Sequence, residues 1–435
     1  MLNFIKKNQF IKVLGYNSIA TVVKFISGFV SLKLVAHFLG TEGMVLLGNF
    51  KNFNSSLKTF STFGFDGGIT KLISEHKNDT DKTNKIISTS FISRLVIAIT
   101  LSILLIVFAS YINIELFKNH NFNYLLYALA ISLPFYSLNS LFISIINGFQ
   151  EFKHLISCNI ITSLFGLILS TLLIYYHFLP GAILAIIIIE SLSILITYYF
   201  YRKSKINVTI KSISFSYPDL KILLQFSIMT LTSALIAPAS NFLIRNEISE
   251  LINIDSAGYW EALNRISNYY MLIITSISTI YYFPKFSSSR SYYSLKNEFS
   301  TFFKILLPLF IVLAICIYFL RKYVVLIALN EDFLPVTNFF LWYLIGDVFN
   351  VASLAFGYLI MARTMTKTYI FTEVSFYIIY VLLAHILLKK IGLNGVIIGY
   401  AISNFIYLVM MLIIFRKFIF LKKINLESNH NNDYT

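Results

Sequence analysis

Charged residues and cysteines are scarce in this sequence, and each shortage excludes a class of protein. Asp, Glu, Lys and Arg make up 13% of the 435 residues, whereas a soluble domain contains about a quarter. The two cysteines, Cys158 and Cys316, lie within hydrophobic runs and offer neither a disulfide framework nor a metal site. The composition therefore leaves no room for a soluble domain or for a disulfide-rich secreted one.

Hydrophobic residues are abundant instead. They make up 57% of the chain, and the mean hydropathy is +0.74. Apolar runs of about 20 residues, the length that crosses a bilayer, recur along it, which predicts an all-α polytopic membrane protein. The apolar stretch from Ile11 is interrupted by Lys24 and Lys33 and lacks a signal-peptide cleavage site, so we expect it to remain as the first span. The predicted spans are 11–37, 44–73, 87–111, 122–148, 154–177, 179–201, 221–245, 257–284, 302–320, 334–361, 368–388 and 391–415.

The loops carry their Lys and Arg residues unequally. Alternate loops hold 23 of them on one side of the predicted membrane and 5 on the other. Because such an excess marks the cytoplasmic side, both termini are predicted to be cytoplasmic. The net charge of +15 is then mostly an orientation signal, and we do not interpret it as nucleic-acid binding.

The segment Asn49–Thr62 carries a polar stripe on a predicted membrane helix. Opposite a face of Phe and Leu, the stripe holds Lys51, Asn54, Ser55, Lys58 and Thr62. A lysine at the centre of the bilayer costs roughly 2.5–3.5 kcal/mol on insertion scales. The stripe is either a helix end whose lysines reach the interface or, as we favour, the wall of a wet, basic cavity in a transporter.

Twelve charged residues lie inside or at the edge of predicted spans, where each is expensive. Lys33, Arg94 and Arg245 lie near span ends, and we expect their charged groups to reach the membrane surface. The glycines beside Asp66 indicate a helix end or a bend. The other eight charged residues of the twelve are Lys24, Lys51, Lys58, Arg265, Glu190, Glu261, Asp347 and Glu373.

The two halves of the chain match at an offset of 214 residues: segment 179–203 falls on 393–417, and Lys51 falls on Arg265. A unit of six spans keeps its orientation when duplicated, so the halves are predicted to be parallel repeats. The predicted parts are an N-terminal six-helix lobe at 1–203, a cytoplasmic linker at 204–220, a C-terminal six-helix lobe at 221–417 and a cytoplasmic tail at 418–435.

Spans two and eight occupy equivalent places in these repeats, and both carry polar, basic faces. This coincidence predicts a central cavity between the lobes, lined by cations that can hold an anion. The candidate substrate-binding residues are Lys24, Lys51, Asn54, Lys58, Glu261, Asn264, Arg265 and Asn268.

Four segments resemble the Wzx-type flippases of O-antigen and enterobacterial common antigen, in the multidrug/oligosaccharidyl-lipid/polysaccharide exporter superfamily. The segments are GNFKNF (48–53), FGFDGGITKLISEH (63–76), AGYWEALNRISNYYM (257–271) and LWYLIGDVFNVASLAFGYLIMARTMTKTYIFTEVSF (341–376). The resemblance covers essentially the whole chain and implies two six-helix lobes with alternating access in the bacterial inner membrane. The implied substrate is an undecaprenyl-diphosphate-linked oligosaccharide, moved from the cytoplasmic to the periplasmic leaflet. A polysaccharide polymerase and chain-length proteins are candidate partners.

Basic residues that line the cavity handle the anionic lipid head in that family, and Lys24, Lys51 and Arg265 stand at positions compatible with this role. The lipid tail can stay in the bilayer while the diphosphate meets these cations. Asn54, Asn264 and Asn268 could hydrogen-bond to the sugars.

Two other functions stay open from the residues. A multidrug cation exporter of the same superfamily needs an acidic, aromatic cavity, which the basic stripes disfavour. A membrane glycan polymerase or ligase needs a sizeable external loop, whereas 246–256 and 321–333 are short. The sequence contains no nucleophile–base constellation, metal-ligand spacing or nucleotide-binding loop. We therefore predict a transporter with no catalytic residue, metal or cofactor.

Energy coupling is predicted from the acids. Asp347 in span ten and Glu373 in span eleven lie on antiparallel neighbours, and we expect this pair to bind H⁺ or Na⁺ while the empty carrier resets. In the alternative, each acid pairs with a buried cation or serine for packing. Asp66 is the next candidate for coupling, together with Glu261.

Overall fold

The computed structural model describes residues 2–118, 120–204, 206, 215–289 and 291–420, and these contain helices and no strand. Most of the predicted linker at 204–220 and nearly all of the predicted tail at 418–435 lie outside the described residues. Within that part of the chain the helices are α1 Leu2–Ser61, α2 Asp66–His76, α3 Thr80–Val107, α4 Ala109–Phe117, α5 Asn123–Gly148, α6 Phe152–Lys203, α7 Tyr217–Leu251, α8 Ile254–Ile277, α9 Phe283–Ser288, α10 Tyr292–Thr301, α11 Leu307–Ala328, α12 Phe340–Ala362, α13 Thr366–Ile391, α14 Leu393–Ile414 and α15 Arg416–Phe420. Two π-helical turns, Ser278–Tyr282 and Phe302–Leu306, and a 3₁₀ helix, Glu331–Phe339, complete the described elements.

Nine helical segments among the described residues are long and apolar enough to cross a membrane. Two of the nine contain a break with non-helical backbone, at Gly40 and at Phe178, so each provides two spans. The 24 residues of α8 also suffice for a crossing, because a helix rises about 1.5 Å per residue through a core of about 30 Å. The described part of the chain therefore accommodates the twelve predicted spans and confirms a polytopic, all-α membrane fold.

The predicted second span, 44–73, is not one continuous helix. The second half of α1 ends at Ser61 and α2 begins at Asp66. Phe63 and Gly64 between them have φ angles of 52° and 64°, a left-handed conformation that suits glycine. Gly64, one of the glycines near Asp66, therefore lies in a helix break, and Asp66 is the first residue of the new helix.

The backbone repeats at the same offset of 214 residues as the sequence. Gln150 and Thr364, with φ of 63° and 52°, each lie between two helices. Phe178 (φ 50°, ψ −128°) and Gly392 (φ 62°, ψ −147°) make the next break in each half. Two matched breaks, each in the same order along the chain, show that α5–α6 and α12–α14 are copies of one helical arrangement.

The chain forms two compact units. Among the described residues, unit 1 comprises those within 1–39 and 46–239, and unit 2 comprises those within 40–45 and 240–420. The first part of α7 thus packs with unit 1 and its last part with unit 2. The predicted lobes at 1–203 and 221–417 follow the duplication along the chain and stay a prediction.

Each unit has its own tightly packed interior. In unit 1, α2, α3 and α5 meet around Phe65, Ile69 and Ile86, which are fully buried. In unit 2, α14 packs against α12 and α13. Gly346 of α12 lies under the ring of Tyr400 in α14, where a Cβ would approach the ring to 2.7 Å. This close approach positions the residue after Gly346, Asp347, against α14.

Candidate functional site

Unit 2 contains a buried group of charges, here named the Glu261 cluster, formed by Arg245, Glu261 and Arg265. Arg245 lies near the end of α7, and the other two lie one turn apart on α8, which places their side chains on one face. Oε2 of Glu261 accepts hydrogen bonds from Nη2 and Nε of Arg245 at 2.5 and 3.1 Å. Its Oε1 accepts one from Nε of Arg265 at 2.8 Å.

The Glu261 cluster has two cations and one anion, all with less than a tenth of their surface exposed. Nη2 of Arg265 is buried and has no hydrogen-bond partner among the described residues. Charged groups are removed from water only at a high cost unless they are paired. The cluster therefore has one positive charge beyond what Glu261 compensates, with a donor of Arg265 unused.

Arg245 corrects a prediction made from its position in the chain. We expected its guanidinium to reach the membrane surface, but the residue is 2% exposed and lies 5.5 Å from the ring of Trp260. An acid sixteen residues further along, Glu261, provides the partner that makes burial possible.

A second polar group in unit 2 surrounds Asp347, which is completely buried in α12. Its carboxylate accepts hydrogen bonds from the hydroxyls of Ser267 at 2.8 Å, Tyr400 at 2.7 Å and Tyr270. Tyr343, whose ring stacks on that of Tyr400 at 4.6 Å, donates to Asn264. The hydrogen-bond partners of Asp347 in the described part of the chain are thus neutral hydroxyls, and Glu373 is not one of them.

Unit 1 contains the Glu190 cluster, formed by Asn54, Lys58 and Glu190. Nζ of Lys58 lies 2.7 Å from Oε1 of Glu190. Nδ2 of Asn54 lies 3.2 and 3.1 Å from the two oxygens of the same carboxylate. Asn54 and Lys58 are one turn apart on α1, and Glu190 comes from the second half of α6. The ring of Tyr136 in α5 covers the ammonium at 4.8 Å from its centre.

A further ion pair in unit 1 joins Asp66 to Arg94 of α3, with Nη2 of Arg94 at 2.8 Å from Oδ1 of Asp66. The same carboxylate accepts from the hydroxyls of Ser140, Ser144 and Thr62. Arg94 is completely buried, so our expectation that it reaches the membrane surface was wrong. The helix break before Asp66 brings this acid to the guanidinium.

The remaining predicted residues lie outside these groups. Lys24, Lys51 and Asn268 are exposed, and Glu373 is half-buried. The polar stripe of span two is therefore divided in the structure, with Asn54 and Lys58 turned to Glu190 and Lys51 exposed. Lys51 and Arg265, which are equivalent in the sequence repeat, also differ in exposure: Lys51 is exposed, whereas Arg265 is buried.

Sequence reasoning missed several partners. The sequence marks Glu190 as an acid within a span without indicating its partner, and it predicts that Arg94 and Arg245 reach the membrane surface. A usable signal was present, because every acid within a span needs a cation or a set of donors. Arg94 lies in the predicted span after that of Asp66, and Arg245 lies in the predicted span before that of Glu261. The tyrosines around Asp347 had no such signal among the 28 tyrosines of the chain.

Comparison with known proteins gives relatives of both the sequence and the fold. The lipid III flippase of Escherichia coli (strain K12) is 23% identical over 397 residues, which cover 90% of this chain and 94% of that protein. An inward-facing MATE family multidrug resistance transporter of the MOP superfamily superposes with a TM-score of 0.73 at 13% identity, covering 92% of this chain and 96% of that one. The lipid II flippase MurJ, in an inward closed conformation, superposes with a TM-score of 0.70 at 19% identity, covering 91% of this chain and 86% of that one. At these identities the two structures show a shared fold, as the resemblance implied.

The family described as "Polysaccharide biosynthesis protein" matches residues 10–290, well over half of the chain. The match includes the Glu190 and Glu261 clusters and the Asp66–Arg94 pair. The chain therefore belongs to the polysaccharide biosynthesis protein family.

Proposed function

We propose that this protein is a flippase that moves an undecaprenyl-diphosphate-linked oligosaccharide, an O-antigen or common-antigen repeat unit, across the bacterial inner membrane by alternating access. The direction is from the cytoplasmic to the periplasmic leaflet. Family membership and the similarity to the lipid III flippase, which extends over almost the full length of both chains, support a lipid-linked oligosaccharide as substrate. A polysaccharide polymerase and chain-length proteins are its proposed partners.

The observation that carries the proposal is the charge of the Glu261 cluster. Two arginines share one carboxylate, and Nη2 of Arg265 has no hydrogen-bond partner in the described part of the chain. A guanidinium presents paired donors that match a phosphate. Arg265 is thus our first candidate for holding the diphosphate of the lipid, with Lys24, Lys51 and Lys58 as further cations along its route.

The fold alone does not distinguish a flippase from a multidrug exporter, because a MATE transporter and a lipid flippase superpose on this chain about equally well. The chemistry of the described clusters favours an anionic substrate. A cationic drug would meet the two arginines of the Glu261 cluster, whose positive charges outnumber the one carboxylate of that cluster. A glycan polymerase or ligase receives no support, since the relatives are named as flippases or transporters.

Coupling to H⁺ or Na⁺ is the second part of the proposal, with Asp347 as the first candidate. A completely buried carboxylate that is bonded only to neutral hydroxyls is costly when ionised. Binding a proton or a sodium ion removes that cost. Glu373 and Asp66 remain further candidates, although Asp66 already has Arg94 as its counter-charge.

The decisive experiment measures transfer of undecaprenyl-diphosphate-linked oligosaccharide in proteoliposomes that contain Arg265→Ala. A charge-assisted hydrogen bond contributes roughly 1.5–3 kcal/mol, so transport should fall about 10- to 100-fold. Arg265→Lys should retain part of the activity. The Arg265→Ala protein should still insert and fold, because Glu261 keeps its pair with Arg245.

Arg321→Ala is the matched control. It also removes an arginine from unit 2, one that contacts the ring and carbonyl of Tyr318 rather than an acid, and it should transport at the rate of the unaltered protein. Full activity of the Arg265→Ala protein would show that the Glu261 cluster does not hold the substrate.

A further inference from the structure

We propose that Glu190 is a proton-linked positioning residue for the substrate anion in unit 1. When the site is empty, its carboxylate occupies Lys58 and Asn54. When the diphosphate binds, Glu190 takes up a proton and releases both side chains to it. This inference rests on the proposed function, and it adds that binding of the anionic head and uptake of a proton are one coupled event.

The geometry of the Glu190 cluster carries the argument. Lys58 and Asn54 are the two members of the polar stripe that donate to the Glu190 carboxylate, at 2.7 to 3.2 Å. The ring of Tyr136 lies over the ammonium on another side. An arriving phosphate oxygen that needs these donors must therefore compete with Glu190, a like charge in the same place.

Protonation of Glu190 resolves this competition. A neutral carboxyl group no longer attracts the ammonium and no longer repels the phosphate. It can still accept a hydrogen bond from Asn54, and its new O–H can donate to a phosphate oxygen. The step moves one proton onto a carboxylate oxygen and forms or breaks no other covalent bond.

The neighbours of Glu190 explain why this acid, rather than another, takes up the proton. Lys58 and Asn54 face it from α1, and Tyr136 faces it from α5. Tyr136 also lies within electrostatic range of Asp66 and Arg94, which are paired with each other and contribute little net charge. Lys58 is thus the one cation bonded to Glu190 in the described part of the chain.

Glu261 in unit 2 differs from Glu190 in the number of cations paired with its carboxylate. It has two arginines, so it keeps a cation even when Arg265 turns to a ligand. Glu190 loses its cation when Lys58 turns away. Loss of one cation therefore favours protonation of Glu190, whereas loss of one cation would leave Glu261 ionised.

The test measures equilibrium binding of undecaprenyl diphosphate–N-acetylglucosamine to the purified full-length protein in detergent, from about pH 5.5 to about pH 8.5. This probe is a diphosphate diester, so its own charge stays constant over that range. Affinity of the unaltered protein should rise as the pH falls, by at most about tenfold per pH unit, because binding takes up one proton. Glu190→Gln should bind with no such pH dependence and, at the alkaline end, more tightly than the unaltered protein.

Glu298→Gln is the matched control, since Glu298 forms a half-exposed pair with Lys285 at the same distance of 2.7 Å. It should keep the pH dependence of the unaltered protein. If Glu190→Gln keeps it too, Glu190 is not the group that takes up the proton, although the probe still binds and the proposed function stands. If neither protein binds the probe at any pH, the proposed function is wrong and this inference falls with it.

A second measurement needs no variant. Binding of the probe to the unaltered protein in weakly buffered solution should remove protons from the medium. At each pH, the number of protons taken up per bound probe should equal the steepness with which the logarithm of the affinity rises as pH falls. Binding without proton uptake across the whole range would overturn the inference even if the Glu190→Gln protein does not fold.

Discussion

Acids organise the buried charge of this protein at the scale of single residues. Glu190 forms an ion pair with Lys58, Glu261 forms ion pairs with two arginines, and Asp66 forms one with Arg94. Asp347 differs, because its partners in the described residues are three hydroxyls. A carboxylate keeps its charge as long as a cation stays paired with it, whereas one stabilised by hydroxyls alone can gain from a proton or a small cation at any time.

Asp347→Asn should therefore abolish the acceleration of transport by an imposed proton or sodium gradient while the protein still folds, and the pH dependence of substrate binding through Glu190 should remain. The amide oxygen can accept from the same hydroxyls, but the side chain no longer binds a proton or a cation. The measurement is flipping in proteoliposomes under imposed proton or sodium gradients. Glu373→Gln, assayed in parallel, shows whether Glu373 shares the role. Unchanged ion dependence in both variants would remove these acids from the mechanism and leave Asp66 and Glu261 as candidates.

At the scale of helices, the duplication places one tight turn in each half of the chain. Gly181 follows the break at Phe178, and Gly395 follows the break at Gly392. A Cβ on Gly181 would lie 1.9 Å from the carbonyl oxygen of Leu173, and a Cβ on Gly395 would lie 2.1 Å from that of Leu387. Both contacts join residues eight apart, so the two helical hairpins close in the same way.

Gly181→Ala and Gly395→Ala should each lower the thermal stability of the purified protein, by a similar amount. The obstructing atoms belong to the backbone, and forcing extra volume into a packed region typically costs about 1–3 kcal/mol. Gly357→Ala in α12 is the control, because its Cβ would meet nothing within 4 Å. It should be neutral or stabilising by up to about 1 kcal/mol. Thermal unfolding in detergent separates these outcomes, and a Gly181→Ala protein as stable as the control would refute the equivalence of the hairpins.

At the scale of the whole molecule, the uneven distribution of Lys and Arg predicts an orientation in the membrane. The 23 basic residues on one set of loops and 5 on the other predict that the chain begins and ends in the cytoplasm. The predicted linker at 204–220 then lies on the same side as both termini.

Reporter fusions test this orientation. A periplasm-dependent reporter fused at Asn207, which is outside the described residues, should be inactive, and the same reporter fused at Asn253, between α7 and α8, should be active. The two sites flank one predicted span, so the fusions control for each other's expression. An active reporter at Asn207 would reverse the assignment.

Local pattern determined much of this protein from the sequence alone. Hydropathy predicted the membrane class and the twelve spans, and a constant offset of 214 residues predicted the duplication, because each depends on local composition or on the order of residues along the chain. The break before Asp66 was predictable only as an alternative, since glycines there permit a bend without requiring one.

Tertiary structure decided the partners of the charged side chains. Lys58 and Glu190 are 132 residues apart, and Asp347 meets Tyr270 and Tyr400 from two other helices. Such pairings depend on which helix faces pack together, and helical periodicity assigns a residue to a face without saying what lies opposite it. Arg94 and Arg245 illustrate the reason, because their positions near span ends predicted exposure, and carboxylates on neighbouring helices made burial of the two arginines the stable arrangement.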